Sequence, residues 1–288
     1  MKKARKAFDF LIYTNILLSL FSGVQVLLTN KVFHIPFHII LIVFEILSVF
    51  CAYGFSMIHF HQDSFLSDGS PRQNILSENY GFMKWAIILS GIGLFLIFPF
   101  LSTPCKALIA LESILVYFYS KSFPYKKGKR ISFRKVPALK VWFISFIWAI
   151  SLVLLPLLDW NGWSILTYSG TYIFFLQKYL VFFVLCLLFD FRDLPNDRLN
   201  KLITLPTLLG EQKTKYLAYL VNAILLLLIW LPHSNLSPQE KISFTLSYMI
   251  FYILIIQAKP GGKDSYYMVW VDGSLVLPYC FLILLTGF

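Results

Sequence analysis

The sequence lacks several features that define common classes of protein. Its 288 residues include only four cysteines, all of them in apolar stretches and none in a C-x-x-C pair. This pattern excludes a disulfide framework or a zinc site and is typical of cysteines that act as small packing residues. No periodic repeat and no low-complexity segment is present, which excludes a solenoid and a compositionally biased linker.

Apolar side chains, by contrast, are abundant. Hydrophobic residues make up 58% of the chain, and the mean hydropathy is +0.72. A soluble domain of this size is much less apolar, so we predict an all-α, polytopic membrane protein that forms one domain over residues 1–288. A spanning helix needs about 20 apolar residues, and nine segments meet this requirement. They are 8–28, 37–60, 81–102, 104–120, 138–158, 168–190, 215–232, 240–257 and 266–286.

Basic residues are distributed unevenly between the two sides of this predicted bundle. The N-terminal tail and the segments 121–140 and 192–215 carry most of them, whereas the opposite side has Lys31, Lys106 and Lys241. The positive-inside rule therefore predicts a cytoplasmic N-terminus and a C-terminus on the far side. We interpret the net charge of +11 as a topology signal and a contact to lipid headgroups, and we expect no nucleic-acid partner.

The first hydrophobic segment follows Met-Lys-Lys-Ala-Arg-Lys, which resembles the start of a signal peptide. Its apolar stretch is too long for a signal peptide and no small-residue cleavage site follows, so we predict an uncleaved helix. The compact loops and the absence of a transit peptide favour a bacterial inner membrane.

Three carboxylates follow the sixth predicted span. Asp190, Asp193 and Asp197 are spaced i, i+3, i+7, so they project from one stripe wherever the backbone is helical. We expect Pro195 to end or bend that helix. Acids on one face repel each other, and their oxygens are suited to a divalent cation such as Mg²⁺, which one or two carboxylates hold together with waters and substrate phosphates.

An alternative interpretation of this cluster is a solvated helix end. The acids would then form ion pairs with neighbouring basic residues and carry no ligand. These basic residues are Arg192, Arg198 and Lys201.

The same stretch resembles a known family. Arg192-Asp193-x-x-x-Asp197-Arg198, followed by Thr204-Leu205-Pro206 and a Leu-Leu-Gly that ends at Gly210, is similar to the second aspartate-rich motif of the UbiA-type membrane prenyltransferases. The resemblance implies a helical bundle around a central cavity. It also implies transfer of a prenyl group from a polyprenyl diphosphate to a lipophilic, aromatic acceptor such as a quinone precursor. Mg²⁺ bound by Asp193 and Asp197, with Asp190 assisting, would be the cofactor.

The first aspartate-rich motif of the family is only partly present. At the end of the second span, where the family usually has Asn-Asp-x-x-Asp, this sequence has His59-x-x-x-Asp63. Imidazole is a poor ligand for magnesium. Three interpretations follow: an enzyme with one metal ion, an enzyme in which His59 or His61 donates to phosphate, or a member without transferase activity. Lys201 is a second departure, because a glycine usually follows the second motif.

A basic loop follows the fourth predicted span. Tyr119, Ser120, Lys126 and Arg130 belong to a stretch that looks like the Tyr-Ser-x-Pro-Leu-Lys type of loop on the diphosphate side of the family's pocket. Clustered cations and hydroxyl groups are suited to a polyanion, so we expect these residues to bind diphosphate. The alternative is that the basic residues serve only as the positive-inside signal.

Lys178 is an ionisable residue inside a predicted span, where such residues are costly. It precedes Asp193 by fifteen residues, which on a straight helix is about 22 Å and close to the same face. We therefore expect Lys178 to line the substrate cavity, and pairing with Glu112 is an equally good structural explanation. The many aromatic residues would suit an isoprenoid tunnel and could stabilise an allylic cation.

Two hypotheses from other functional classes remain. One is a catalytically degenerate protein that binds prenyl lipids or acts as an accessory membrane protein. The other is a transporter, which the ionisable residues Glu112, Lys178 and Asp272 inside predicted spans would favour. Transporters often contain inverted repeats with matching broken helices, and no such matched pair is present in this sequence.

Overall fold

The structure is a computed structural model that describes residues 2–63, 71–120, 122–124, 130–132, 139–234 and 236–287. Within these residues the chain consists of helices, the turns and loops between them, and a short antiparallel hairpin in which Ser122 pairs with Ser132 and Pro124 with Arg130. The strands are β1 (Ser122–Pro124) and β2 (Arg130–Ser132). The helices are α1 (Lys2–Tyr13), α2 (Ile16–Val32), α3 (Ile39–Asp63), α4 (Pro71–Glu78), α5 (Tyr80–Ile97), α6 (Thr103–Ser120), α7 (Leu139–Ala149), α8 (Leu155–Asn161), α9 (Ser169–Leu199), α10 (Leu205–Ile229), α11 (Pro238–Gln257) and α12 (Leu277–Thr286).

Several helical segments are long and apolar enough to cross a bilayer. Five occur among the described residues, and a sixth results if the bent pair Lys6–Tyr13 and Ile16–Val32 is taken as one span. This confirms the prediction of a helical membrane protein, whereas nine spans stay a prediction. The five are Tyr80–Phe100, Leu139–Thr167, Ser169–Leu199, Pro238–Gln257 and Tyr266–Thr286.

The contacts between Cα atoms divide the chain into two compact units. The first contains Met1–Leu27 and Pro36–Leu101, and α3 packs on α5 within it. The two helices approach closely at Gly54, where an added Cβ would lie 2.6 Å from Ile87 Cδ1. Small residues permit such approaches between membrane helices. Close by, Phe50, Met83 and Ile87 form a buried cluster.

The second unit contains Leu28–Ile35 and Ser102–Phe288. Its central element is α9, which packs against both α7 and α10. Trp148 of α7 stacks on Phe182 of α9, with ring centroids 4.7 Å apart. Leu187, Leu188 and Phe191 of α9 are almost completely buried, which explains why this segment reads as a nearly continuous apolar run. The last span is irregular, because a π-helical turn (Tyr266–Val271) and a 3-10 segment (Asp272–Val276) precede α12.

Two local predictions are corrected in part. The sequence predicts that Pro195 ends or bends its helix, and the helix does not end there, because α9 continues to Leu199. Proline lacks a backbone N–H, so one intrahelical hydrogen bond is missing at this point of α9. The first predicted span, 8–28, is not one straight helix, since α1 and α2 meet at an angle of 65° around Asn15, whose φ is 59°. Asparagine is among the few residues that adopt this left-handed conformation readily.

Candidate functional site

The three aspartates of the predicted site all lie on α9. The helix runs without interruption from Ser169 to Leu199, so the spacing i, i+3, i+7 places them along one side of its carboxyl-terminal end. Asp190 and Asp197 are buried and Asp193 is partly exposed. The predicted stripe of acids is therefore present on α9, and each carboxylate has a different partner.

Asp190 forms an ion pair with Lys140 at the start of α7. The distance between Lys140 Nζ and Asp190 Oδ1 is 2.6 Å, and the side chains are 43% and 4% exposed. A carboxylate this deeply buried needs a charged or hydrogen-bonded partner. Lys140 provides that partner while its own stem remains partly accessible, so this ion pair links the acidic end of α9 to α7.

Asp193 contacts the neighbouring Arg192 through both of its oxygens. Arg192 Nε donates to Oδ1 at 2.7 Å and Nη2 donates to Oδ2 at 3.1 Å. Nη1 of the same guanidinium lies 3.1 Å from Asp264 Oδ1, and its carbon lies 5.0 Å and 5.6 Å from the ring centroids of Phe189 and Tyr267. Arg192 is thus a largely buried hub that joins two acids and two aromatic rings.

Asp197 contacts the beginning of α10. Thr204 Oγ1 donates to Asp197 Oδ2 at 3.2 Å, while the Thr204 amide donates to Thr207 Oγ1 at 2.7 Å. Pro206 lies in the first turn of α10, where proline is favoured. The Thr-Leu-Pro sequence therefore starts a helix and binds an aspartate of the preceding one.

The turn between α9 and α10 explains the unusual Lys201. Leu202 N donates to Asp197 O at 2.9 Å and Lys201 N donates to Arg198 O at 3.2 Å, which is the bond pattern of a Schellman motif. Lys201 occupies its left-handed position with φ 52°, where glycine is preferred because it has no Cβ.

The loop before the last span binds the backbone of α9. Gly261 N donates to Arg192 O at 2.8 Å. Tyr267 fixes the loop itself, because its hydroxyl donates to Lys259 O at 2.7 Å. The loop therefore contacts α9 at the level of the aspartates.

The residues predicted to bind diphosphate are only partly described. Tyr119, near the end of α6, stacks on Phe143 of α7 with centroids 4.3 Å apart and planes 6° apart. Lys126 lies outside the described residues. For the others the backbone is described, but the side chains lie outside the described part of the chain. These are His59, His61, Asp63, Ser120 and Arg130.

Lys178 lies well away from the acidic end of α9. It is 3% exposed, and its Nζ lies 5.1 Å and 5.7 Å from the ring centroids of Phe174 and Phe244. On an α-helix, fifteen residues separate it from Asp193 by about 22 Å. The structure thus places Lys178 in an aromatic environment inside the second unit, and it does not join the aspartate cluster.

No group of three or more His, Cys, Asp or Glu side chains is arranged as a metal site within the described residues. The donor set nevertheless suits magnesium, which needs only one or two carboxylates when phosphates and waters complete its coordination. Asp190 Oδ2 and Asp197 Oδ1 accept no hydrogen bond from any described residue. These two oxygens therefore keep their full acceptor capacity, although both side chains are buried. The Asp193 oxygens each accept one hydrogen bond from Arg192 and keep a second lone pair.

The alternative interpretation of paired acids is correct in part. Arg192 pairs with Asp193 as it predicts, whereas Arg198 lies 3.7 Å from Glu211 instead. Sequence reasoning missed Lys140 and Asp264 as partners, because no local spacing connects them to α9. The sequence did draw attention to the basic segment that contains Lys140.

Comparisons with protein-family models, curated proteins and solved structures found no match to this chain.

Proposed function

We propose that this protein is a membrane-embedded prenyltransferase that uses Mg²⁺. It transfers a prenyl group from a polyprenyl diphosphate to a lipophilic acceptor, with an aromatic quinone precursor as the first choice. In this proposal residues 1–288 form one domain with nine spans in a bacterial inner membrane. The N-terminus is cytoplasmic, and the aspartate end of α9 faces the same side.

The observation that carries the proposal is the arrangement at the end of α9. Three carboxylates share one stripe, and each is positioned by a residue from a different place: Lys140 of α7, the adjacent Arg192, and Thr204 before α10. Positioned acids beside two cations form a mixed surface that can receive both a divalent cation and the oxygens of a diphosphate. If the acidic cluster were only a solvated helix end, its carboxylates would be exposed, whereas the Asp190 side chain is buried.

The proposed chemistry needs no nucleophile on the protein. When bound by Asp193 and Asp197, with Asp190 assisting, Mg²⁺ would neutralise charge on the diphosphate and promote its departure. Lys140 and Arg192 are close enough to the acids to donate to phosphate oxygens. Tyr119, Ser120, Lys126 and Arg130 are proposed to complete this binding, with His59 and Asp63 from the second predicted span and Lys178 at the far end of the cavity.

Bond formation then takes place at the allylic carbon. Its C–O bond breaks and the diphosphate leaves with the electron pair. The acceptor carbon forms the new C–C bond and loses a proton. Aromatic side chains of the protein can stabilise the developing allylic cation.

A second candidate function is non-catalytic binding of a prenyl lipid. It is favoured by the fact that Asp190, Asp193 and Asp197 already have partners within the protein. A site whose charges are balanced in this way does not depend on a metal ion for its structure. Both candidate functions involve binding of a prenyl lipid, and only the prenyltransferase converts it to a product.

The decisive experiment measures release of diphosphate from a panel of polyprenyl diphosphates by the purified protein, with and without a chelator. Asp193→Asn and Asp197→Asn should each lower the magnesium-dependent rate by about a hundredfold, since they remove charge from a preorganised site. Glu211→Gln is the matched control, because Glu211 is an exposed acid near the start of α10 whose ion-pair partner among the described residues is the equally exposed Arg198. Donor binding without turnover in the unmodified protein would instead support the lipid-binding function.

A further inference from the structure

A cavity lies at the other end of α9, remote from the aspartates and within the second unit. Its volume is about 340 Å³, and it is lined by residues from the end of α2, the 3-10 segment Gly162–Thr167, the start of α9 and the segment after α10. This size is within the range of small-ligand sites. No aspartate or glutamate lines it.

The amino terminus of α9 opens onto this cavity. Gly170 in the first turn is a lining residue, and the N-cap Tyr168 makes no side-chain capping bond within the described residues. The first backbone N–H groups of a helix have no intrahelical acceptor, and the helix dipole adds partial positive charge there. The first turn of α9 also contains no acid. These properties favour an anion.

A second and independent observation concerns Ser234, which follows α10 and lines the same cavity. Ser234 is 5% exposed, and its Oγ is buried without a hydrogen-bond partner among the described residues. A buried hydroxyl of this kind costs free energy unless something accepts or donates a hydrogen bond. The hydroxyl of Ser164 is different, because it already donates to Asn161 O at 2.6 Å.

The rim of the cavity includes His34. His34 occupies the left-handed position at the end of α2, with φ 53°. Ile35 N donates to Asn30 O at 2.9 Å, so this turn is fixed and His34 stays at the rim. The nearest acid along the chain, Asp159, accepts a hydrogen bond from Ser102 N at 3.2 Å.

The surroundings place this end of α9 at the level of lipid headgroups. Large aromatic side chains with polar atoms are exposed around it, as in the aromatic belts of membrane proteins. They include Trp160, Trp163, Tyr168, Tyr172 and Trp230. The cavity walls combine these polar groups with the apolar Phe33, Ile165 and Phe174, a combination that suits a phosphate attached to an organic group.

We infer that this cavity binds a phosphate group through the amino terminus of α9 and Ser234. The phosphate belongs either to the headgroup of an anionic lipid or to a soluble phosphate ester, because both present the same oxyanion. This site is separate from the aspartate site, and the inference does not depend on the proposed function.

The test is calorimetric titration of the purified, full-length protein in a nonionic detergent with three probes. Short-chain phosphatidylglycerol, glycerol 3-phosphate and short-chain diacylglycerol separate the two sources of phosphate from simple apolar binding. Binding of the phospholipid alone assigns a lipid headgroup, and binding of both phosphates assigns the oxyanion itself. Equal binding of the uncharged diacylglycerol, or no binding of any probe, overturns the inference.

Two variants locate the binding at this cavity. Ser164→Asp introduces a negative charge on a lining residue and should weaken phosphate binding by at least about tenfold. Thr167→Asp adds the same charge to an exposed, non-lining residue of the same 3-10 segment and should have a much smaller effect. Ser234→Ala, a mild change that preserves the fold, should weaken binding about fivefold. Equal affinities for all of these proteins would place the phosphate elsewhere and refute the assignment.

Discussion

The two ends of α9 have opposite electrostatic designs. The helix dipole favours anions at the amino terminus and cations at the carboxyl terminus, yet the three aspartates lie at the carboxyl-terminal end and no acid lies in the first turn. The acids therefore oppose both the dipole and one another. Lys140, Arg192 and Thr204 compensate for this unfavourable placement through contacts of 2.6 to 3.2 Å.

This difference shows that the three aspartates destabilise the carboxyl-terminal end of α9. Contacts from Lys140, Arg192 and Thr204 offset that cost. Residues placed against local electrostatics are expected at functional sites. The amino-terminal end has the reverse character, because its dipole favours an anion and Ser234 Oγ has no hydrogen-bond partner among the described residues. Removing the partners of the aspartates should therefore be destabilising at the acidic end, whereas removing the Ser234 hydroxyl should be neutral or stabilising at the other end.

The largest effect is expected for Arg192→Met. Arg192 is 12% exposed on its side chain, whereas its partners Asp193 and Asp264 are 41% and 37% exposed. Its loss removes two ion pairs and two ring contacts together and should lower the free energy of unfolding by about 3 kcal/mol. Reversible unfolding in mixed micelles would measure this change. Arg198→Met is the matched control, since Arg198 and its partner Glu211 are each 54% exposed, and it should change stability by less than about 1 kcal/mol. Equal effects for the two arginines would contradict the role of Arg192 as a buried hub.

A smaller loss is expected for Lys140→Met. The buried Asp190 would lose its partner, but the partial exposure of Lys140 lets water approach, so we expect a loss of about 2 kcal/mol, below that of a fully buried pair. Adding Asp190→Leu should restore much of this loss. If the double variant is no more stable than Lys140→Met, the ion pair is not the reason for the effect.

Lys201→Gly should stabilise the protein by about 1 kcal/mol. Lys201 has φ 52°, a conformation that costs a residue with a Cβ roughly this amount and costs glycine almost nothing. Lys201→Ala removes the same side chain but retains the Cβ, so its stability should stay close to that of the unmodified protein. Thermal unfolding of the three proteins distinguishes a backbone effect from the loss of a charge.

The smallest effect is expected for Ser234→Ala in the absence of ligand. Removing a buried hydroxyl that has no partner should stabilise the protein by about 0.5 kcal/mol, whereas removing a satisfied hydroxyl is neutral or mildly destabilising. Ser164→Ala provides the comparison, because Ser164 donates to Asn161 O. Destabilisation by Ser234→Ala would mean that its hydroxyl has a structural partner, and the contrast between the ends of α9 would disappear.

Hydropathy located the helices well because burial in lipid and burial in protein both select apolar residues. Each of the nine predicted segments coincides with helical structure, although α10 begins at Leu205, ten residues before the predicted span, and its backbone is kinked at Gly210, where φ is 77°. Charged residues between Glu211 and Lys215 conceal that first part from a hydropathy criterion. The irregular turns around Asp272 were also not predictable, since they depend on packing within the second unit.

The site could be predicted only as far as local spacing reaches. The stripe of Asp190, Asp193 and Asp197 follows directly from helical periodicity, and the pair of Arg192 with Asp193 follows from adjacency. Lys140 is fifty residues from Asp190, so their contact requires the packing of α7 on α9. The cavity near Ser234 was missed for the same reason, because its residues come from four separate segments.

The length of α9 determines where its aspartates lie relative to the hydrocarbon layer of the membrane. Its 31 residues extend about 46 Å, whereas the hydrocarbon layer is about 30 Å thick. With Tyr168 and Tyr172 at one boundary, the opposite boundary falls about twenty residues later, close to Asp190. Asp193 and Asp197 then stand outside the hydrocarbon, within reach of water. Under the proposed function, the donor's diphosphate would bind at this level while its prenyl chain stays in the membrane, so the diphosphate would not have to enter the hydrocarbon layer.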